Sequence, residues 1–469
     1  MKGVQGGAEA AVLLLCVVSG AICPASEPYP IPAVADELDG KGVVFASRDA
    51  AVAAKRANPR AKVCLTATPR AQLKEGYDDR EVRDAEVFAA IENGIDYFAF
   101  DGDLPDVVSI QMHDAGVKTL KLYEGRPGEL QAAADLGVKY LRTKDPQRVA
   151  TELAALQRRM AGPVLRSEFR IRDPYVFADP KTKTYYLYET TPWNVGRGVN
   201  VRTSTDLERW SAPRRAMTMG SQYRCRSVWA PEVHEVGGRY YMFATPTLEP
   251  DPKFPIRSMS DDPDFAPPKC YALTRRGVWI WRADSPAGPF ELVSDMAATP
   301  HEVVALDGTL MIDPDGTPWM VYSHCWTQTK VGRMEAAPLK ADFSGFAAKP
   351  IELFRGDTAC GKDHVVDGPF LYRSPVTGQL SMLWSKFVDG SYSVLCCESK
   401  TSRVAGPWGR FRVVFAGNGG HGMIFRGFDG QLRLVMHRPE VRGYERLAFF
   451  PVADTPEGLK IGEISGKWR

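Results

Sequence analysis

Apolar and polar positions alternate with a period of two from Ile171 to Thr190 (IRDPYVFADPKTKTYYLYET), interrupted by the turn pair Asp179-Pro180, so this stretch reads as a β-hairpin. The same shape returns in SVWAPEVHEVGGRYYMFAT from Ser227, LDGTLMIDPDGTPWMVYSH from Leu306, VDGPFLYRSPVTGQLSMLWS from Val366 and GHGMIFRGFDGQLRLVMH from Gly420. A third strand-like run follows each hairpin: GVNVRTS, GVWIWRA, VGRMEAAPL, YSVLCCES and RLAFFPV. A fourth comes after turn residues such as Gly288-Pro289, Gly406-Pro407 and Gly458. Four strands repeated five times, at a spacing of roughly fifty to seventy residues, predict small sheets set radially, because each can bury its faces only against its neighbours. The fold expected is mainly β, a five-bladed propeller whose innermost strands line a central channel. The residues opening the copies, Asp173, Glu232, Asp307, Asp367 and His421, are expected to converge on that channel.

Upstream the period changes. Short apolar runs at Val43–Ala46, Lys62–Leu65, Tyr97–Phe100, Lys118–Leu122 and Tyr140-Leu141 alternate with amphipathic stretches such as DAAVAAKRAN and AEVFAAIENG. That is β/α alternation and predicts a parallel sheet over residues 27–160, joined to the propeller of residues 161–469 by RRMAGPVLRS with its break at Gly162-Pro163. Before it, AAVLLLCVVSGAI (Ala10–Ile22) follows Lys2 and precedes small residues, so residues 1–26 read as a signal peptide and the protein as secreted or periplasmic; a buried structural segment is the competing reading. The run is too short to span a membrane.

Composition narrows the partners. Lys plus Arg number 59 against 57 Asp plus Glu, a formal charge of +2 with no basic run, which argues against nucleic acid and suits a neutral ligand. The nine cysteines follow neither metal-site nor disulfide-framework spacing, and the adjacent Cys396 and Cys397 read as packing residues of a strand.

Asp-Pro and Asp-Gly are ordinary turn pairs, yet the hairpins already have their own turns at Asp179-Pro180, Asp315-Gly316, Thr377-Gly378 and Asp429-Gly430. The acids at the opening positions are therefore spare, and several carboxylates around one cavity are what glycoside hydrolysis requires: one protonates the leaving oxygen, another activates water or attacks. Arg172-Asp173-Pro174-Tyr175, Val228-Trp229-Ala230-Pro231-Glu232, Leu306-Asp307-Gly308 leading to Asp313-Pro314-Asp315-Gly316, and Asp367-Gly368-Pro369-Phe370 resemble, in order, the motifs of glycoside hydrolase family 43. The resemblance covers about the last three hundred residues. It implies an inverting glycosidase acting on arabinofuranosides or xylosides, with Asp173 as general base, Asp307 tuning and orienting the acid, and Asp367 as general acid. The family's acid is typically Glu in Glu-Gly-Pro, so Asp367 is one methylene short of it. His421, in Gly419-Gly420-His421-Gly422, takes the family's place for a His near a central metal ion, and a structural calcium is the implied ion; no cofactor is required. The upstream region resembles the C-terminal half of the barrel of glycerophosphodiester phosphodiesterases, an incomplete, half TIM-barrel-like domain; that family's catalytic residues lie mainly in the absent half, and His113 is the region's one His.

Arg172, Trp193, Trp229, Glu232 and Trp326 are the candidate substrate contacts, the tryptophans as sugar platforms together with Trp384, though packing between blades explains a Trp as readily. Glu232 either bonds a sugar hydroxyl or pairs with a local base such as Arg226. His324 and His437 are expected to be structural. A Pro- and Asp-rich insertion, PTLEPDPKFPIRSMSDDPDFAPPKC, is expected to wall the cleft. Besides hydrolysis, the sequence leaves open a carbohydrate-binding propeller that has lost turnover, motivated by Asp367 and Cys325, and a retaining or transglycosylating enzyme.

Overall fold

The computed structural model describes residues 33–34, 43–68, 79–101, 112, 116–135, 138–190, 197–266, 275–358, 360, 363–441 and 443–463. The signal-peptide expectation, His113 and Trp193 lie outside these residues.

The upstream region holds a six-stranded parallel sheet in the order Ala33–Val34, Tyr140–Arg142, Lys118–Leu122, Tyr97–Phe100, Val63–Thr66, Val44–Ala46. Helices Arg48–Ala57, Asp79–Glu92, Glu129–Asp135 and Pro146–Met160 connect or follow its strands. The middle strands are apolar on both faces, Phe98, Leu65 and Leu120 being fully buried, as a sheet covered on both sides demands. The last helix is capped by Asp145, whose carboxylate accepts the Arg148 N–H, and its buried stripe ends in Leu156 and Met160. These two side chains belong to the propeller's core, beside Val164 and Phe169. The joining segment also pairs Val164–Leu165 with Arg209–Trp210, a small sheet that its polar composition conceals.

Five antiparallel sheets follow, each from one uninterrupted stretch of chain, in the four-strand pattern the repeats predict, the second with a further short strand, Arg275–Arg276, paired to its second strand. From inner to outer strand they are Tyr175–Asp179, Thr184–Tyr188, Gly198–Ser204 and Arg214–Thr218; Cys225–Val236, Arg239–Leu248, Trp279–Ala283 and Glu291–Leu292; Ala305–Ile312, Pro318–His324, Arg333–Pro338 and Ile351–Arg355; Asp367–Arg373, Leu380–Val388, Ser391–Ser399 and Trp408–Phe415; and Gly420–Arg426, Leu432–Arg438, Arg446–Thr455 and Gly458–Ile461. The second strands are sandwiched, so residues on both their faces are buried: Met242 with Phe243, Met320 with Val321, Met382 with Leu383 and Leu434 with Val435.

Every inner strand carries a bulge at the axis. Register slips by one between Trp229 and Glu232, Leu306 and Thr309, Asp367 and Phe370, and Gly420 and Met423, leaving two inner residues opposite one. In the first blade the bond from Thr190 N–H to Arg172 O, followed by the Tyr175–Tyr188 pair, frames Asp173 and Pro174 in the same way. The first bulged residue has positive φ in all five blades: Asp173 (50°), Ala230 (41°), Asp307 (56°), Gly368 (54°) and His421 (54°). The equivalence expected from the sequence is thus corrected in two blades. Glu232 lies two residues past the axial position of the second blade, and Asp367 one residue before that of the fourth, because the bulge, not the turn dipeptide, sets the register.

The bulge takes each axial N–H out of its own sheet, and a buried N–H needs an acceptor. A neighbouring blade supplies it. Ala230 N–H donates to Thr190 Oγ1 (2.8 Å), Asp307 N–H to Thr245 Oγ1 (3.0 Å), Gly368 N–H to Asp307 Oδ2 (3.1 Å), His421 N–H to Ser385 Oγ (2.8 Å) and Asp173 N–H to His437 Nδ1 (3.2 Å). The five bonds form a closed ring around the axis, and the last joins the fifth blade to the first.

Candidate active site

Asp173, Asp307, Asp367, Glu232 and His421 act on one another electrostatically at the axis, so the convergence expected of them is present even where the register differs. Positive φ at the non-glycine residues Asp173, Asp307 and His421 is conformational strain held at the very residues that face the channel.

Asp173 is the most heavily bonded. Its Oδ2 accepts the Thr190 hydroxyl at 2.6 Å, and its Oδ1 lies 3.3 Å from His421 Nδ1, 3.6 Å from His437 Nδ1 and 3.8 Å from Arg172 Nε. Burial alone would raise its pKa. His421, Arg172, His437 and the Thr190 hydroxyl outweigh burial and hold it below the ordinary carboxylate range. Asp367 goes the other way: burial, then the charges of Asp307 and Asp173, push it up to about 8 against the pull of His421 and Arg172. Asp307 is also raised, chiefly by burial, with Asp173 and Glu232 adding to it. The imidazole of His421 is shifted up despite its burial, because Asp173, Asp307, Asp367 and Glu232 surround it. Two carboxylates that act on one another at the axis are thus shifted in opposite directions, Asp173 down and Asp367 up. That division of labour is what acid–base hydrolysis needs.

Gly368 is held by both conformation and space. A Cβ there would lie 2.8 Å from His421 Cγ, on top of a φ that side chains rarely adopt.

The remaining candidates separate. Arg172 is turned to acids of the fifth blade: its Nη1 donates to Glu440 Oε1 and Oε2 (2.9 and 3.0 Å) and lies 3.4 Å from Glu445 Oε1. Glu232 pairs with His234 at 3.0 Å, not with Arg226. Trp229 and Trp326 are half-buried and pack with Ile256 around Val304, Leu306 and Cys325; the Arg276 guanidinium sits 4.4 Å over the Trp229 ring. Trp384 is fully buried against Phe354, 5.4 Å between ring centres, and cannot be a sugar platform. Cys325 is buried with its thiol 3.1 Å from Thr327 Oγ1, and the described cysteines are all free.

Of the two histidines expected to be structural, His437 bonds the Asp173 N–H and Glu440. His324 Nδ1 lies 2.9 Å from Glu335 Oε1 and its Nε2 2.9 Å from Gln328 Oε1. Gln328 in turn bonds the insertion: its Nε2 donates to Arg257 O, as well as to Glu302 O outside it, and its backbone carbonyl accepts the Met259 N–H. Asp261 pairs with Arg333 and Arg355, and Asp262 with Lys330. The described part of the insertion is thus bound to the third blade with Ile256 against Trp229 and Trp326, beside the axis.

Four partners escape the sequence: Thr190, Glu440, Glu445 and Tyr392, which bond Asp173, Arg172, Arg170 and Asp367. None lies in a motif. The glycines near His421 were the available signal, since a Cβ on Gly420 would come within 2.3 Å of Tyr392 Cε1 and so betrays a ring packed on the backbone.

Among the described residues no three His, Cys, Asp or Glu are arranged around one ion, and His421 Nδ1 faces Asp173.

Residues 161–448 match the family model described as glycosyl hydrolases family 43. An endo-arabinase from Bacteroides thetaiotaomicron VPI-5482 is 30% identical, with a TM-score of 0.53 over 65% of this chain and 99% of that one. A thermostable family-43 glycoside hydrolase is 21% identical, with a TM-score of 0.50 over 63% of this chain and 93% of the other, which is a likeness of fold. No curated protein sequence matches.

Proposed function

Since the chain belongs to glycosyl hydrolases family 43, we propose that it is a working inverting glycosidase whose substrates are arabinofuranosides or xylosides in polysaccharide side chains. The endo-arabinase likeness favours arabinose-containing chains. One observation carries the reading: at the axis, where His421 acts on both, Asp173 is held below the ordinary carboxylate range while Asp367 is pushed up to about 8.

In this reading Asp173 takes a proton from a water as the water's oxygen bonds to the anomeric carbon. Asp367 donates its proton to the glycosidic oxygen, which leaves with the electron pair of the broken bond. Asp307 acts through Asp367: its charge raises the acid's pKa, and by accepting the Gly368 N–H it fixes the backbone next to the acid. Trp229, Trp326 and the insertion would wall the cleft, and Glu232 and Arg172 would border it. Action outside the cell, secreted or periplasmic, accords with the apolar run Ala10–Ile22.

Hydrolysis of aryl α-arabinofuranoside and aryl β-xyloside, with NMR of the first-formed anomer, tests the proposal. Inverted product is expected. Retained configuration would assign Asp173 as nucleophile, and a sugar-induced rise in melting temperature without release of the aryl group would make the propeller a binding module.

A further inference from the structure

The proposed base and acid stand on different blades, and an aromatic pair joins their surroundings. Tyr392, from the third strand of the fourth blade, lies parallel to His437, from the second strand of the fifth, with ring centres 5.8 Å apart and planes at 19°. Both are buried. At one side of the pair the Tyr392 hydroxyl donates to Asp367 Oδ2 at 3.4 Å. At the other, His437 Nδ1 lies 3.2 Å from the Asp173 backbone N and its Nε2 lies 2.6 Å from Glu440 Oε2.

Little freedom is left to either ring. Tyr392 is bounded by the Gly420 backbone, by Phe387 at 5.1 Å between centres, and by its own carbonyl accepting the Gly419 N–H at 2.9 Å. Glu440, which fixes His437, is itself fixed by Arg172.

Resting on the reading of Asp367 as general acid, we propose that Tyr392 is its positioning residue, occupying Oδ2 so that the transferable proton sits on Oδ1, and that the stack on His437 ties the acid's orientation to the base. The phenol keeps its own proton throughout, since burial and the nearby Asp367 and Glu440 push its pKa well above the usual value. Its hydrogen bond therefore meets the carboxylic acid before transfer and the carboxylate after it, and strengthens as charge develops. Asp367 also faces Asp307, Asp173, His421 and Arg172, while Cys325 feels its charge, so the bond to Tyr392 is one influence among several on its titration.

The test is Tyr392→Phe, which keeps the ring and its stack. Turnover of an unactivated arabino-oligosaccharide is expected to fall on the order of tenfold more than turnover of a dinitrophenyl arabinofuranoside, because only the former needs full protonation of its leaving oxygen. The basic limb of the rate profile moves to higher pH, since a donor to a carboxylate favours the ionised form and its loss raises the acid's pKa. The acid limb and the melting temperature stay in place. Equal losses on both substrates with an unmoved basic limb would overturn the inference and leave Tyr392 a packing residue. Asp367→Ala, measured in parallel, distinguishes the two levels of failure. If it too hits both substrates equally, the acid assignment falls and takes Tyr392 with it; if it discriminates and Tyr392→Phe does not, the positioning role alone falls.

Discussion

Asp307 accepts the backbone N–H of Gly368 at 3.1 Å, in a place where the second, third and fifth blades use a Thr or Ser hydroxyl. The equivalent hydroxyl of the third blade, Ser323, donates to Val366 O instead. A carboxylate thus replaces a hydroxyl at one link of the axial ring, next to the proposed acid. Asp307→Asn keeps an acceptor for Gly368 but removes the charge that raises the pKa of Asp367. The basic limb of activity should therefore move to lower pH, with a loss of roughly 10- to 100-fold at neutral pH; a pH–rate profile against the parent decides it.

For the parent, activity needs Asp173 ionised and Asp367 protonated. The rate should hold across neutral pH and fall as the pH rises through about 8, where Asp367 loses its proton. On the acid side it should hold below the ordinary carboxylate range, because Asp173 is shifted down. Asp173→Ala should abolish hydrolysis of activated and unactivated glycosides alike, whereas Asp367→Ala should spare the dinitrophenyl substrate; release of chromophore and of free sugar, measured side by side, checks both.

Gly368→Ala places a methyl 2.8 Å from His421 Cγ at a φ of 54°. We expect about 1–3 kcal/mol of destabilisation from the strained backbone, and, from the displaced carboxyl beside it, a drop in kcat on the order of 10²-fold. Denaturant titration together with kcat measures the two separately.

Gln328→Ala should loosen the insertion, as it removes the bond to Arg257 O along with those to Glu302 O and His324 and strands the Val304 N–H. KM for an oligosaccharide is expected to rise roughly tenfold, equivalent to about 1.4 kcal/mol, with kcat on a small aryl glycoside nearly unchanged. Comparing the two substrates shows whether this wall contacts the longer chain.

The five hairpins, the strands after them and the parallel sheet upstream could all be read from the sequence, because periodicity and turn residues are local. The axial register could not. A bulge shifts which residue faces the channel by one or two places, and neither Asp367-Gly368 nor Trp229-Ala230-Pro231-Glu232 announces where the slip falls. Trp384 shows the same limit: a Trp next to an inner strand looks like a platform until the neighbouring blade is seen to cover it. Partners such as Tyr392 and Glu440 reach the site from distant strands, Glu440 meeting Arg172 across 268 positions, and no short-range pattern encodes that.

Among the described residues no blade borrows a strand from the other end of the chain. The first and fifth blades are fastened instead by individual bonds: Arg170 to Glu445 in a buried two-bond side-chain pair, Arg172 to Glu440, the Asp173 N–H to His437 and the Ile171 N–H to Glu445 O. Glu445→Ala, which leaves Arg170 buried without this partner, should cost about 3–5 kcal/mol, readable as a lowered denaturation midpoint.

The same fastening includes the proposed base and its holder, so an enzyme whose ring has sprung open has no catalytic base even while its blades stay folded. Heat inactivation should then run ahead of the loss of β-sheet signal, and activity becomes a sensor of whether the circle is shut.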